Sequence, residues 1–149
     1  MTESLSCHIG TSGWHYKHWK GPFYPKNLPA KDFLNYYANH FQTVEINNSF
    51  YKLPEKKTLK QWQEIVGDGF IFAVKASRYI THMKKQKDPK KSLSNFLNTV
   101  KVLANNLGPI LFQLPPRWHI NTKRLNSFLG ERIEIAGDGS LGENDADSQ

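Results

Sequence analysis

A carboxylate and two amides interrupt a segment that begins like a buried strand. In TVEINNSFYKLP (43–54), Glu45 and Asn47 stand where a further apolar run would be expected. Side chains along a strand alternate between its two faces, so these two residues are predicted to share one face. The Glu45 carboxylate can act as a general base if a lysine amine, acting as the acid, lies beside it in a site shielded from water. The segment is therefore the first candidate for chemistry.

Three other predicted strands also carry a polar side chain late in their run. Ser12 lies late in CHIGTSGW, Lys75 in FIFAVKAS and Gln113 in PILFQLP. The carboxyl ends of parallel strands meet at one edge, which is where α/β proteins bind their ligands. We therefore predict one shared site. Its catalytic candidates are Glu45 and Lys75, and its ligand-binding candidates from these strands are Ser12, Asn47 and Gln113.

Two chemical roles remain open for Glu45 and Lys75. Together they can act as a base and an acid, and the Lys75 amine can attack a carbonyl carbon. They can equally form a structural ion pair, with Asn47 and Gln113 satisfying the remaining lone pairs. The sequence therefore leaves it open whether the protein is an enzyme.

Two loops follow predicted strands and add candidates for ligand binding. The first, GTSGWHYKHWKGPFYP, interleaves aromatic rings with lysines, so Trp14 and Tyr16 are predicted to stack on a ligand; a small local core is the alternative. The second, KASRYITHMKKQKDPKK, offers Arg78 for binding an anion and His82 for transferring a proton. Its lysines form either a solvated loop or a contact surface for a phosphate backbone.

Short apolar runs alternate with helical periodicity four times along the chain. Strands are predicted at 43–47, 70–77 and 109–115 after the first glycine-rich strand, and helices at 29–41, 55–69, 92–108 and from 121 onwards. This alternation predicts an α/β protein whose strands are parallel and joined by helical crossovers.

Composition narrows the class of protein. The 149 residues are 38% apolar, which is enough for one domain with a core. Cys7 is the only cysteine, so no internal disulfide can form, which favours a cytoplasmic location. No run approaches the roughly 20 apolar residues of a membrane span, so no membrane partner is predicted. The sequence has neither HExxH nor CxxC, and we predict no metal site and no cofactor.

The charge is unevenly distributed along the chain. The formal net charge is +7, but six acidic residues against one arginine after Gly130 give −5, which leaves +12 for residues 1–130. A basic body favours an anionic partner, either a small polar or anionic ligand or a nucleic acid. A solvated basic surface without a partner is the alternative.

Four separated segments carry a resemblance to a known family. IGTSGWHYKHWKGPFYP (9–25), FQTVEINNSFYKLP (41–54), FIFAVKASRYITH (70–82) and LGPILFQLPP (107–116) resemble, in this order, the DUF72 family, also called UPF0759 or YecE-like. The resemblance covers about residues 8–130. It implies a TIM-barrel-like (β/α) repeat, of which this chain would hold about four β-α units as a partial barrel. The biochemical role of the family is not established.

The end of the chain departs from that family pattern. The family runs through four more β-α units, whereas the resemblance stops near Leu129. We therefore predict residues 1–130 as the N-terminal half of a barrel and residues 131–149 as an acidic, Gly-rich tail, disordered or derived from a frameshift. Four strands alone would leave open sheet edges, through which the chain is expected to self-associate. A truncated fragment without function is the remaining alternative to a binding protein.

Overall fold

The computed structural model of the protein describes residues 7–50, 52–76, 89–114 and 119–137, and within them strands alternate with helices. The elements are β1 (Thr11–Ser12), α1 (Phe33–Ala38), β2 (Thr43–Ile46), α2 (Lys56–Val66), β3 (Ile71–Lys75), α3 (Pro89–Val100), β4 (Leu107–Leu111) and α4 (Thr122–Gly137). Short 3-10 helices in these ranges lie at Lys17–Trp19, Ala30–Asp32, Asn48–Phe50 and Lys101–Asn106. None of the described helices is both long and apolar enough to cross a membrane.

The four strands form one parallel sheet in the order β1-β2-β3-β4. Its register places Ser12 opposite Glu45, Glu45 opposite Ala73, and Lys75 opposite Leu111. Spatial order follows chain order, as it does when successive β-α units build a barrel. The prediction of parallel strands in a TIM-barrel-like (β/α) repeat of about four units is therefore confirmed.

The third helix differs most from its predicted span of 92–108. It begins at Pro89, where a proline suits the first helical position, and α-helical geometry ends at Val100. The following 3-10 segment contains Ala104, whose φ is +46°, and it leads directly into β4. The buried side chain of Asn106 fixes this junction, because its amide donates to the carbonyl oxygens of Gly67 and Phe70, both at 2.8 Å.

The core is made by alternate strand residues and the apolar sides of the helices. Val44 and Ile46 of β2 are buried, whereas Glu45 between them is half-buried. In β3 the same alternation buries Phe72 and Val74. The helices add buried side chains at Phe33, Leu34, Tyr37, Leu59, Leu93, Phe96 and Leu97. One face of the sheet therefore belongs to the core, and Glu45 lies on the other.

The second of two compact units contains α4. The chain divides into residues 1–115 and residues 116–149. Helix α4 continues to Gly137, beyond the predicted start of a tail at residue 131. Residues 138–149 lie outside the described part of the chain, so a separate tail there stays a prediction.

The buried hydroxyl of Tyr37 joins β1 to β2. It accepts a hydrogen bond from the Thr11 amide at 2.9 Å and donates to the Thr43 carbonyl oxygen at 3.0 Å. The Thr11 hydroxyl also lies 2.9 Å from it. The two strands approach so closely here that a Cβ at Gly10 would collide with the Thr43 carbonyl, so this position requires glycine.

Replacing Tyr37 by phenylalanine is expected to lower the free energy of unfolding by about 2 kcal/mol, because the Thr11 amide and the Thr43 carbonyl lose their shared partner. Urea denaturation measures this loss. The control is Tyr36→Phe, since the half-buried Tyr36 hydroxyl has no hydrogen-bond partner among the described residues. Equal losses in the two variants would refute a special role for Tyr37.

Candidate functional site

A hydrogen-bonded serine and glutamate occupy the end of the first two strands. The Ser12 hydroxyl donates to Glu45 Oε1 at 2.8 Å, and the Gly13 amide donates to the Glu45 main-chain oxygen at 2.9 Å. The Tyr16 hydroxyl donates to the Ser12 carbonyl oxygen at 2.5 Å. These contacts fix both strand ends. Within the described residues, Glu45 Oε2 accepts no hydrogen bond, so one of the two carboxylate oxygens is without a partner there.

Lys75 lies on the same face of the sheet as this pair. Glu45 is opposite Ala73, and Lys75 follows two residues later, where strand alternation returns the side chain to the same side. The fully buried Ser49 hydroxyl lies 2.6 Å from the Lys75 carbonyl oxygen and 2.8 Å from that of Ile46. Ser49 thereby ties the end of β2 to the end of β3, and Lys75 is held at the same sheet edge as Glu45.

The other candidates from the strands are placed differently. Strand β2 ends at Ile46, so Asn47 leaves the sheet and does not continue the face of Glu45. Gln113 is exposed and follows the end of β4 by two residues. Arg78 and His82 lie outside the described residues. The roles of all the predicted site residues stay predictions.

Asn47 instead lines a cavity of about 500 Å³, together with Trp14 and Tyr16. Other walls come from α1, through Leu34, and from α2, through Trp62. The remaining lining residues are Gly13, His15, Ala30, Lys31, Asn48 and Ile65. Because α1 and α2 form part of its wall, the cavity lies on the helix side of the sheet and not on the face of Glu45.

Sequence reasoning missed the helical residues of this cavity. Trp62 and Ile65 are three positions apart, a spacing that is typical of the core-facing side of an amphipathic helix. The structure leaves Trp62 half-buried and Ile65 exposed. Periodicity shows which side of a helix faces inward, but it does not show whether the space there is filled.

Tyr24 holds the loop that carries Trp14. Its hydroxyl donates to the Trp14 carbonyl oxygen at 2.6 Å, and its ring stacks on Phe33 with 4.1 Å between ring centroids. Burial, with a smaller contribution from neighbouring Tyr37, raises the pKa of Tyr24 to about 12. The Trp14 ring in turn packs edge-to-face on Trp62, with centroids 4.8 Å apart. Tyr24 therefore positions one wall of the cavity.

No group of three or more His, Cys, Asp or Glu side chains in the described ranges is arranged to hold a metal ion.

A parallel sheet whose spatial order follows chain order, with helices between successive strands, is typical of barrel-type α/β proteins. Within that class, the chain belongs to the family described as "Protein of unknown function DUF72", which matches residues 8–136. The predicted family is thereby confirmed.

Individual relatives support the assignment. The UPF0759 protein YecE of Escherichia coli is 33% identical over an alignment of 107 residues, and the alignment covers 66% of this chain and 38% of YecE. The UPF0759 protein YunF of Bacillus subtilis is 29% identical over an alignment of 115 residues, and the alignment covers 73% of this chain and 40% of YunF. The chain therefore spans about two fifths of the length of these curated relatives.

Two crystal structures of DUF72 family proteins share the fold. The protein of Thermotoga maritima superposes with a TM-score of 0.70 at 30% identity, covering 86% of this chain and 51% of that protein. A protein of Enterococcus faecalis superposes with a TM-score of 0.60 at 20% identity, covering 70% of this chain and 44% of that protein. This chain thus aligns with about half of the longer Thermotoga maritima protein.

The raised pKa of Tyr24 predicts a loss of stability in alkali. The folded protein resists ionisation of Tyr24, so the protonated Tyr24 side chain contributes to the free energy of unfolding. This contribution is fully present below the ordinary pKa of 10.0 and is lost as the pH rises from there toward about 12. Urea denaturation across this interval should show a smaller loss in Tyr24→Phe than in the unaltered chain. At neutral pH this variant should lose about 1 kcal/mol with the hydrogen bond to Trp14. Identical alkaline losses in both proteins would contradict the assignment.

Proposed function

We propose that this domain binds a small polar or anionic ligand at the carboxyl edge of its sheet, on the face that carries Glu45 and Lys75. The hydrogen bond of 2.8 Å from the Ser12 hydroxyl to Glu45 Oε1 carries the proposal. It orients the carboxylate while leaving its second oxygen without a partner in the described part of the chain.

The side chains of Ser12, Glu45 and Lys75 indicate which groups the ligand carries. Glu45 Oε2 can accept a hydrogen bond from a hydroxyl or an amine, and such bonds to a charged acceptor are stronger than neutral ones. Lys75 supplies a positive charge two positions further along the same face, which favours an anionic group. A compound that carries a hydroxyl beside a phosphate meets both demands.

Binding, and not a complete reaction, is what these groups support. Glu45 remains a candidate base. The curated relatives, however, are more than twice as long as the segment that matches this chain, so residues outside that segment can contribute to a reaction in the longer proteins. The activity of such a longer protein is therefore a separate proposal, for which Glu45 and Lys75 are the catalytic candidates.

Glycerol 3-phosphate provides a simple probe, since it combines hydroxyls with a phosphate. We expect saturable binding by NMR titration, and an affinity about tenfold lower in Glu45→Gln, because the amide removes the negative charge that strengthens the hydrogen bond. The matched control is Glu64→Gln on α2, an exposed carboxylate outside this face. Both variants should unfold at the same urea concentration as the unaltered chain.

Three results would count against the proposal: no saturable binding, an equal effect of Glu64→Gln, or unfolding caused by Glu45→Gln. A DNA duplex serves as the competing ligand. If DNA binds with a steep salt dependence that Glu45→Gln does not change, the basic surface and not the sheet edge is the functional feature.

A further inference from the structure

We infer that the cavity between the loop after β1 and helices α1 and α2 is a second binding site, and that its ligand is a small planar heteroaromatic anion. Its volume of about 500 Å³ lies within the range of roughly 300–1,000 Å³ that small-molecule sites occupy. It lies on the helix side of the sheet, whereas Glu45 and Ser12 lie on the other side and are not among its lining residues.

The walls favour a flat ring. Trp14 and Tyr16 come from the loop after β1, and Trp62 comes from α2. Leu34 and Ile65 add aliphatic surface. Aromatic walls gain contact area and ring–ring interactions from a planar ligand that a saturated ring of similar size does not provide.

Two hydrogen-bond donors at the cavity favour a ligand that carries a hydrogen-bond acceptor. Trp14 is buried, with 7% of its surface exposed, yet its indole N–H has no hydrogen-bond partner among the described residues. A buried tryptophan N–H usually finds an acceptor. The half-buried Asn47 amide, which lines the same cavity, also lacks a side-chain hydrogen bond within the described ranges. A ring nitrogen or a ring-bound oxygen would supply what both donors lack.

Charge at the cavity favours an anion. Lys31 lines it and is exposed, and it forms no ion pair within the part of the chain that the structure describes. No Asp or Glu occurs among the described lining residues. A carboxylate on the ligand would therefore meet a cation at the rim and no opposing negative charge.

Quinaldate, which joins a planar bicyclic ring, a ring nitrogen and a carboxylate, is the probe. We expect a saturable shift of the Trp14 indole N–H signal in heteronuclear NMR, assigned by its absence in Trp14→Phe. The naphthalenecarboxylate of the same shape, which lacks the ring nitrogen, should bind about fivefold more weakly. Cyclohexanecarboxylate, which lacks the flat ring, should bind at least about tenfold more weakly.

Variants test the walls and the charge separately. Trp62→Leu should weaken quinaldate binding at least about tenfold, and Lys31→Gln about threefold. The matched control is Lys57→Gln, an exposed lysine on α2 that does not line the cavity, which should leave the affinity unchanged. If Trp62→Leu unfolds the chain, the series of three ligands on the unaltered protein decides.

The inference is overturned by no saturable shift of the Trp14 signal, by equal affinities for quinaldate and cyclohexanecarboxylate, or by equal effects of Lys31→Gln and Lys57→Gln. Glu45→Gln should leave quinaldate binding unchanged, because Glu45 is on the opposite face of the sheet. Its effect on glycerol 3-phosphate therefore tests the sheet-edge site independently of the cavity.

Discussion

The buried hydroxyl of Tyr37 and the close approach of β1 to β2 fix the position of β1, and with it the residues that follow β1 at the carboxyl edge of the sheet. Strand β1 has only two residues, Thr11 and Ser12, so its own ladder supplies few hydrogen bonds. Tyr37 adds a contact to the Thr11 amide and another to the Thr43 carbonyl. Ser12 and Trp14 follow directly along the chain, so their positions depend on how β1 is held.

That edge presents different chemistry on its two sides. On one side a hydroxyl, a carboxylate and an ammonium group share a face of the sheet, through Ser12, Glu45 and Lys75. On the other side aromatic rings enclose the cavity. Tyr16 contributes to both, because its ring lines the cavity while its hydroxyl binds the Ser12 carbonyl oxygen. The loop after β1 therefore contributes side chains to the cavity, while Ser12 at the end of the strand lies on the face of Glu45.

Membership of the DUF72 family explains the fold but leaves the chemistry to the individual side chains, since one fold hosts many functions. The chain aligns with 51% of the Thermotoga maritima protein, and its strands follow one another in spatial order. Self-association through β1 and β4, the outer strands of the described sheet, stays a prediction, and so does binding of nucleic acid to the basic body of the chain.

The local sequence pattern was sufficient to predict the four β-α repeats, the parallel strands and the shared face of Glu45 and Lys75. Strand alternation and helical periodicity can be recognised from neighbouring residues alone. The pattern was not sufficient to predict on which side of the sheet Asn47 lies. Strand β2 ends one residue earlier, and Ser49 hydrogen-bonds to Lys75 of β3, which is 26 residues away in the sequence. Nor did it reveal the cavity beside Trp62. Whether space against a helix is filled depends on side chains distant in sequence, and only the tertiary structure brings those together.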